Sequence, residues 1–329
     1  MLLPGLEYWW LFPAAVVLDA VWGDPPLPWR HPVCWIGRLL ALLEPLARRL
    51  GGSRAAGAIC AGVAVSLSGL AVYGATQIPW LGAPLALYLA YAGLSAQCLV
   101  DTGRQVLSAV ERSPLPQAQQ ALSMLVSRDT SVQDRQTLRK SLADTVAENL
   151  TDAVIAPLFW LLLGGPVGLW MYKAVSTMDS MWGYKTPQWL HLGWAGARLD
   201  DMLAFIPARL GVLFLRMADM LTHASRHAGG SWPGLRVIAA QARGMESPNS
   251  GWPMSAGAWL LGARMGGPTL YFGVMNNKPW VGPAADAARP WNALRIMSLC
   301  RLVRQAGFLA AICLYACAAL LAVVPELFR

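Results

Sequence analysis

Long apolar stretches separated by polar, arginine-containing connectors dominate the pattern along this chain. Four of these stretches, at about 8–22, 55–78, 83–100 and 306–324, are predicted to cross a membrane as helices. A helix needs about 20 apolar residues to cross the hydrocarbon core, so the first stretch is short for a span. The pattern therefore indicates an all-α polytopic membrane protein with about four full spans.

Two further apolar stretches, 153–172 and 203–221, are ambiguous. A Gly-Gly-Pro sequence at 164–166 interrupts the first stretch and favours a broken or re-entrant helix pair, which membranes tolerate where it is buried in protein or lines a cavity. The second stretch contains one proline and two arginines, which favours an interfacial helix or one packed against the bundle. Two additional full crossings stay the alternative.

Arginine and lysine predict the orientation of the spans. They concentrate after the first and third predicted spans and before the last, whereas the short turn after the second span has none. Basic loops remain in the cytoplasm, so we expect cytoplasmic elements at about 23–54, 101–152, 173–202 and 222–304, with both termini outside. Residues 222–294 contain no clear span and are expected to form irregular loops. The whole chain, 1–329, is predicted to be a single integral membrane domain.

Composition supports a membrane protein. Of the 329 residues, 56% are hydrophobic and 13% are charged, compared with about 25% charged in soluble domains. The net charge of +8 suits cytoplasmic loops beside anionic lipid, and no zinc-finger spacing or other signature indicates nucleic acid. The lipid bilayer is thus an expected partner. The six cysteines form no C-x-x-C pair, so free thiols are expected.

Three carboxylates, Asp144, Glu148 and Asp152, recur at four-residue spacing just before an apolar stretch. On an α-helix this spacing places all three side chains on one face, with Asn149 beside them. Such a strip facing lipid would be strongly unfavourable, so it must face protein, water, metal or substrate. The alternative is a solvated helix start, where acidic residues are favoured.

Arg128 and Asp129 lie in a segment that resembles a helix start. Asp129 or Thr130 would then be an N-cap, or the segment would bind an anion, since a helix N-terminus and an arginine both attract phosphate. Lys173 and Lys185 lie at the edges of apolar sequence. These lysines either extend towards the membrane interface or bind phosphate.

Asp179 and the pair Asp200-Asp201 offer oxygen ligands that suit magnesium, although no spacing here defines a metal site. Trp252 and Trp280 lie in stiff, proline-containing loops. Their rings offer flat faces for a large ligand, or they are membrane-interface tryptophans.

Many segments, in order along the chain, closely resemble the adenosylcobinamide-phosphate synthase family of cobalamin biosynthesis. The matching segments run from Asp19 to Gly282 and are GDPPLPWRHPV, IGRLL, SRDTS, TVAEN followed by TDAVIAPLF, LLGGP, YKAV, DSMWGYK, ARLDD, IPARL, SPNSGWP, MGGP and KPWVG. The resemblance thus covers most of the chain.

The resemblance implies an acid–amine ligase of the cytoplasmic (inner) membrane, multi-pass and with its active site facing the cytoplasm. Family members join adenosylcobyric acid to (R)-1-amino-2-propanol phosphate or a related amino alcohol, giving adenosylcobinamide phosphate. ATP and Mg²⁺ are the implied cofactors, and the corrinoid is a substrate. Other membrane enzymes of the pathway are further implied partners.

The chemistry of this reaction, taken with the resemblance, selects candidate residues. An acyl phosphate intermediate needs metal-held phosphate, cations and a base for the amine. We assign Glu148, Asp179 and Lys185 to catalysis, and Glu148, Asp152, Asp179 and Asp201 to magnesium. Substrate or phosphate binding is assigned to Arg128, Asp129, Asn149, Lys173, Arg209, Asn249, Trp252, Lys278 and Trp280. This choice leaves Asp144 as a solvated residue at the helix start.

Two positions depart from the family pattern. Leu150 replaces the threonine expected after AEN, and Ser176 replaces the asparagine expected before Thr177. Either change would alter the choice of amino alcohol or mark a divergent paralogue. Two alternative functions stay open. The broken helix with intramembrane polar groups also suits a corrinoid-binding membrane transporter, and a paralogue that kept the fold without catalysis would be a non-catalytic regulatory protein.

Overall fold

The computed structural model describes residues 10–25 and 31–327, with side chains described as far as residue 320. Three parts of the sequence predictions lie outside these limits. They are the start of the first predicted span, before residue 10, residues 26–30 (PLPWR) of the GDPPLPWRHPV segment, and the side chains after residue 320 at the end of the last predicted span.

The described chain is mostly helical, with one small two-stranded sheet, and is consistent with the predicted all-α polytopic membrane fold. Its elements, in chain order, are α1 (Leu11–Trp22), α2 (Pro32–Arg49), α3 (Arg54–Thr76), α4 (Gly82–Ala92), α5 (Ala96–Arg112), α6 (Leu115–Ser123), α7 (Arg135–Asn149), a π-helical turn (Leu150–Ile155), α8 (Ala156–Trp182), α9 (Trp194–Leu203), α10 (Phe205–Thr222), α11 (Ala224–Ala228), α12 (Leu235–Ala242), α13 (Gly251–Leu261), β1 (Met265–Tyr271), β2 (Val274–Val281) and α14 (Ala293–Leu327).

Four stretches of helix in the described chain are long and apolar enough to cross a membrane: Arg54–Thr76, Gly82–Arg112, Arg135–Trp182 and Ala293–Leu320. Four spans were predicted and four are found, but only three of the predicted spans are among them. Helix α1, the expected first span, has only 12 residues. The stretch that seemed ambiguous from sequence instead belongs to a helical segment of 48 residues.

Helix α3 shows the surface that lipid would contact. Ile59, Val63, Leu67, Leu70 and Tyr73 are all exposed, and their spacing of three or four residues places them along one face of the helix. A contiguous exposed apolar stripe is unfavourable in water but suits the hydrocarbon core of a bilayer. The stripe is therefore consistent with α3 as a membrane span.

The helical segment from α7 to α8 is interrupted twice. The first interruption is the π-helical turn, which directly follows Asn149. The second lies at Gly165, whose φ of 59° is left-handed, next to Pro166, which cannot donate a backbone hydrogen bond. The predicted break at residues 164–166 is thus confirmed. Glycine is required there because a side chain strongly disfavours this φ.

The chain divides into two compact units, each built from discontinuous segments. Unit 1 comprises residues 1–95, 156–204 and 311–329, and contains α1–α4, α8, α9 and the end of α14. Helix α8 is its centre, because it packs against α2, α3, α4 and α9. Within this unit the Trp170 indole donates a hydrogen bond of 2.8 Å to the Leu89 carbonyl, which joins α8 to α4.

Unit 2 comprises residues 96–155 and 205–310. Helix α7 packs against α5, α6, α13 and β1, and α10 packs against α13 and the π-helical turn. Strands β1 and β2 form an antiparallel hairpin, the only sheet among the described residues. The prediction of irregular loops over 222–294 was therefore wrong, since this region holds three helices and the hairpin.

Candidate functional site

Asp144 is the centre of a buried ionic cluster in unit 2. Its side chain is only 1% exposed, and one carboxylate oxygen, Oδ2, accepts hydrogen bonds of 2.9 Å from both Arg128 and Lys140. The other oxygen, Oδ1, accepts the backbone amide of Gly266 at 3.1 Å. The prediction that Asp144 is a solvated residue at a helix start was wrong, because α7 begins nine residues earlier, at Arg135.

Arg128 is buried together with Asp144 and forms an ion pair with it. Burial by itself lowers the pKa of the guanidinium, but the Asp144 carboxylate outweighs this effect, and the pKa lies above its ordinary value. The hydroxyl of Ser141 also accepts from Arg128, at 3.4 Å, and donates to Gln133 at 2.9 Å. Phosphate binding by Arg128 stays a prediction, and in the structure its guanidinium is paired with Asp144.

The β-hairpin formed by β1 and β2 is hydrogen-bonded at both of its ends to residues of α7 and of the loop before α7. At the base, the Gly266 amide donates to Asp144, and the Gly266 carbonyl accepts from Lys140. At the tip, the Asp129 carboxylate accepts the Gly273 amide at 2.8 Å, and the Asp129 amide donates to the Leu270 carbonyl at 2.9 Å. These contacts orient the hairpin against α7 and the loop before it.

Asp129 and Thr130 do not cap a helix, contrary to one of the two readings of this segment. Asp134 is the N-cap of α7, and its carboxylate accepts the Thr137 amide at 2.8 Å. Hydrogen bonds from the Thr137 side chain, and then from its amide, lower the pKa of Asp134. Asp129 instead holds the tip of the hairpin.

Trp280, on β2, presents a half-exposed ring that lies close to two cations. The Lys140 ammonium lies 5.3 Å from the ring centroid, and the Arg264 guanidinium lies 4.4 Å from it. Cations at these distances are attracted to the negative face of an indole. On the same hairpin Lys278 donates to the Tyr271 hydroxyl at 2.7 Å. The hairpin thus combines flat aromatic surface with positive charge, which suits a large ligand that carries amides or phosphate.

Glu148 lies one helical turn after Asp144 and is half-buried. It is close enough to Arg128 to contribute to the raised pKa of that guanidinium. The side-chain amide of the neighbouring Asn149 donates to the Thr145 carbonyl at 3.0 Å. Asp152 follows inside the π-helical turn and is half-buried.

The departure at Leu150 lies in the core of unit 2. Its side chain is 0% exposed and lies next to Gly211 of α10. The leucine therefore contributes to packing between the π-helical turn and α10. In unit 1 the departure at Ser176 is half-buried, and the Ser176 carbonyl accepts the Ser180 hydroxyl at 2.9 Å.

Arg209, on α10, forms a second cluster within unit 2. Its guanidinium stacks on Phe205, 3.4 Å from the ring centroid, and lies 4.7 Å from the centroid of the Trp252 ring. It also donates to Asn249 at 2.9 Å and to the Pro248 carbonyl at 3.4 Å. Burial lowers the pKa of Arg209. The predicted ligands Arg209, Asn249 and Trp252 are thus brought together.

The other candidates lie in unit 1. Lys173, on α8, is half-buried and contributes to the lowered pKa of His31. Asp179, at the end of the same helix, is half-buried, and Lys185, in the following loop, is exposed. Asp201, on α9, lies 4.0 Å from Arg198. Their roles in catalysis stay predictions.

Magnesium binding by the predicted carboxylates stays a prediction. No group of three or more His, Cys, Asp or Glu side chains that could hold a metal ion is found among the described residues. Magnesium that arrives with a nucleotide needs only one or two protein carboxylates, because phosphate and water supply its other ligands. None of the six cysteines, all of which the structure describes, forms a disulfide.

Sequence reasoning did not select Lys140, Gly266 or Arg264 as site residues. A signal for Lys140 was present, since it precedes Asp144 by four residues and such pairs meet on one helical face. No local signal could have indicated Gly266, which contacts Asp144 across 122 residues of sequence.

Comparison with known proteins gives consistent matches over nearly the whole chain. The family described as CobD/Cbib protein matches residues 12–303. The chain is 40% identical over 315 residues to the cobalamin biosynthesis protein CobD of Pelobacter propionicus. This match covers 93% of the chain and 94% of the relative. It is 38% identical over 305 residues to CobD of Klebsiella pneumoniae, covering 90% and 93% of the two chains.

A relative that is named CbiB matches the chain over the same length as the Klebsiella pneumoniae protein. The chain is 35% identical over 305 residues to the cobalamin biosynthesis protein CbiB of Salmonella typhimurium, which covers 90% of this chain and 93% of that protein. No solved structure matches the chain.

Proposed function

This chain belongs to the CobD/CbiB family, and from that premise we propose that it catalyses an amide-forming step of cobalamin biosynthesis. The proposed reaction joins adenosylcobyric acid to (R)-1-amino-2-propanol phosphate, or a related amino alcohol, and consumes ATP. We place the protein in the inner membrane with the site of unit 2 facing the cytoplasm, where ATP is available.

One observation links the proposed function to particular residues of unit 2. Four of the segments that resemble the synthase family are brought together in unit 2: SRDTS through Arg128 and Asp129, the AEN segment through Glu148, MGGP through Gly266, and KPWVG through Trp280. Asp144 is the residue that joins them, because its carboxylate contacts the first and third segments directly. A constellation gathered from distant segments is what a shared ligand requires.

The proposed chemistry has two steps. A carboxylate oxygen of the corrinoid attacks the γ-phosphorus of ATP, and ADP leaves, giving an acyl phosphate. The amine nitrogen, after losing a proton to a base, then attacks the acyl carbon, and inorganic phosphate leaves. Glu148 is the proposed base, because it is a carboxylate that is neither deeply buried nor hydrogen-bonded to Arg128 as Asp144 is.

Cations and aromatic rings of unit 2 are proposed to bind the substrates. Trp280 offers its half-exposed ring to the flat corrinoid, and Lys278 lies beside it on the same strand. Lys140 and Arg264 supply positive charge next to that ring, which suits the phosphate groups of the reactants. Magnesium would enter as MgATP, as a substrate.

The proposal is tested with purified protein, adenosylcobyric acid, ATP, magnesium and aminopropanol phosphate, with the amide product measured by mass spectrometry. Formation of ADP together with adenosylcobinamide phosphate supports the ligase. If product is absent while a family relative gives it under the same conditions, the ligase proposal is wrong. Uptake of corrinoid into proteoliposomes without coupling would instead favour a transporter.

Glu148→Gln tests the role of the base. It preserves the shape of the side chain but removes its charge, so we expect a loss of about 10²–10⁴-fold in kcat. Glu44→Gln is the matched control, because Glu44 lies on α2 in a surface pair with Arg48 and should leave the rate unchanged. An unchanged rate in Glu148→Gln would remove this residue from the mechanism.

A further inference from the structure

Unit 1 contains an apolar cavity of about 290 Å³. Residues from four helices line it, among them Leu39 of α2, Ala71 of α3, Leu89 of α4 and Trp170 of α8. Ser68 is the only hydroxyl-bearing side chain in the lining. The indole nitrogen of Trp170 is already bonded to the Leu89 carbonyl, so the cavity offers little to a polar ligand and suits a hydrocarbon chain.

The cavity meets the surface at the lipid-facing side of α3. Leu67 belongs both to the cavity lining and to the exposed apolar stripe of that helix, and Ala71, one turn later, is exposed as well. A chain of methylene groups in the surrounding bilayer can therefore enter the cavity sideways without crossing a polar barrier.

Helix α2 supplies the neighbouring surface and is amphipathic. Trp35, Leu42 and Leu46 are exposed along one face, and Trp35 also lines the cavity. Arg38 and Arg49, both exposed, follow Trp35 and Leu46 by three residues and thus border this face. An exposed apolar face bordered by arginines suits contact with the acyl chains and the negatively charged headgroups of an anionic membrane.

We propose that this cavity binds one acyl chain of an anionic phospholipid, whose headgroup lies beside the arginines of α2. The acyl chain alone gains little on leaving the bilayer, because lipid is as apolar as the cavity lining. Attraction between the headgroup and the arginines therefore provides the preference for anionic lipid. This site is independent of the proposed ligase reaction.

The test is native mass spectrometry of the detergent-purified protein supplied with phosphatidylglycerol or phosphatidylcholine that carry the same acyl chains. We expect one retained phosphatidylglycerol per chain, with an affinity about tenfold above that for phosphatidylcholine, equivalent to about 1.4 kcal/mol. Equal retention of the two lipids would overturn the role of the headgroup. Retention of detergent alone would overturn the site.

Two alanines of α3 provide a matched pair of variants. Ala71 and Ala58 are both exposed, but only Ala71 lines the cavity. Ala71→Phe should lower lipid occupancy about tenfold, whereas Ala58→Phe should retain the occupancy of the wild-type protein. Equal occupancy in the two variants would overturn the proposal.

A second measurement needs no substitution. Phosphatidylglycerol with a photoreactive group on its acyl chain should label the Trp170 side chain itself, which is 1% exposed and is reached through the cavity. Labelling confined to exposed residues such as Leu70 would show that lipid contacts only the outer surface, and the proposal would be wrong.

Discussion

The Asp144 carboxylate accepts the backbone amide of Gly266 at 3.1 Å, although 122 residues separate them in sequence. The same carboxylate is paired with Arg128 and Lys140. Asp144 is thus a positioning residue, since it joins α7, the segment before it and the β-hairpin that carries Trp280. Its burial means that it acts through its neighbours and not by touching substrate.

Asp144→Asn should strongly destabilise the protein. The substitution removes the charge that is directly paired with the buried Arg128 guanidinium, whose side chain is 6% exposed. Breaking a buried pair in this way costs about 3–5 kcal/mol. The measurement is the free energy of unfolding by denaturant titration in detergent micelles.

The control for this prediction is the surface pair of Glu44 and Arg48. Glu44→Gln removes an ion pair of the same type in an exposed setting and should cost no more than about 1 kcal/mol. Similar losses for Asp144→Asn and Glu44→Gln would show that the buried cluster does not stabilise unit 2.

Gly266→Ala should prevent the hairpin from closing. Gly266 has a φ of +74°, and an added Cβ would lie 2.4 Å from the Pro279 carbonyl oxygen of the paired strand. Gly273→Ala is the matched control, because φ is +76° there but no atom lies within 4 Å of the added Cβ. Both variants bear left-handed strain of about 1–2 kcal/mol, and only the first also bears the clash.

Limited proteolysis between residues 264 and 282, together with the melting temperature, checks this prediction. Faster cleavage and a lower melting temperature are expected for Gly266→Ala than for Gly273→Ala. Equal cleavage of the two variants would mean that close approach of the strands at Gly266 is unimportant for the hairpin.

Stability should fall as the pH is lowered through the range in which His31 titrates. Burial is the main cause that lowers the pKa of His31, and Lys173 adds to it, while Asp24 and the Ala92 carbonyl oppose it. The unfolded chain, with an ordinary pKa of about 6.5, therefore binds a proton at higher pH than the folded protein does. Stability rises with pH wherever the unfolded state binds more protons.

The contribution of His31 is therefore fully present above about pH 6.5 and diminishes as the pH falls towards the folded pKa. His31→Gln should reduce the slope of melting temperature against pH in this range. His191→Gln, at an exposed histidine, is the control and should leave the slope unchanged. An unchanged slope in His31→Gln would assign the acid sensitivity to other groups.

Trp280→Ala should weaken corrinoid binding if the proposed function is right. Loss of an aromatic contact of about 0.5–1.5 kcal/mol raises Kd up to about tenfold, and Trp280→Phe should retain part of the affinity. Trp80→Ala is the control, because Trp80 is 98% exposed and lies outside unit 2. Corrinoid absorbance measures the binding, and equal Kd values for Trp280→Ala and the wild-type protein would remove Trp280 from the site.

Much of the fold follows from sequence because the bilayer imposes a simple rule. Apolar stretches of about 20 residues must be helical, since no water is present to bond their backbone groups. The helices α3 and α14 and the break at Gly165 were predictable for this reason. The lengths of two helical segments were predicted wrongly, because α1 has only 12 residues and the helical segment that contains α7 and α8 has 48.

The sequence also identified the motif segments, through the resemblance, and with them Glu148 and Trp280 as candidate residues. It did not predict which groups the side chains of these residues contact. The spacing of Asp144, Glu148 and Asp152 is a local property, and it indicates a shared helical face but not the groups that this face contacts. The π-helical turn that begins at Leu150 also follows no sequence pattern that local rules recognise.

By itself, the sequence of this protein determined three of its membrane helices and the inventory of polar groups for chemistry. Only the tertiary structure decided that Asp144 is buried, that Arg128 is paired with it, and that the hairpin base lies against both. The physical reason is that a carboxylate is solvated or buried according to partners brought to it by folding. Those partners lie 16 and 122 residues away, beyond the reach of any helical period.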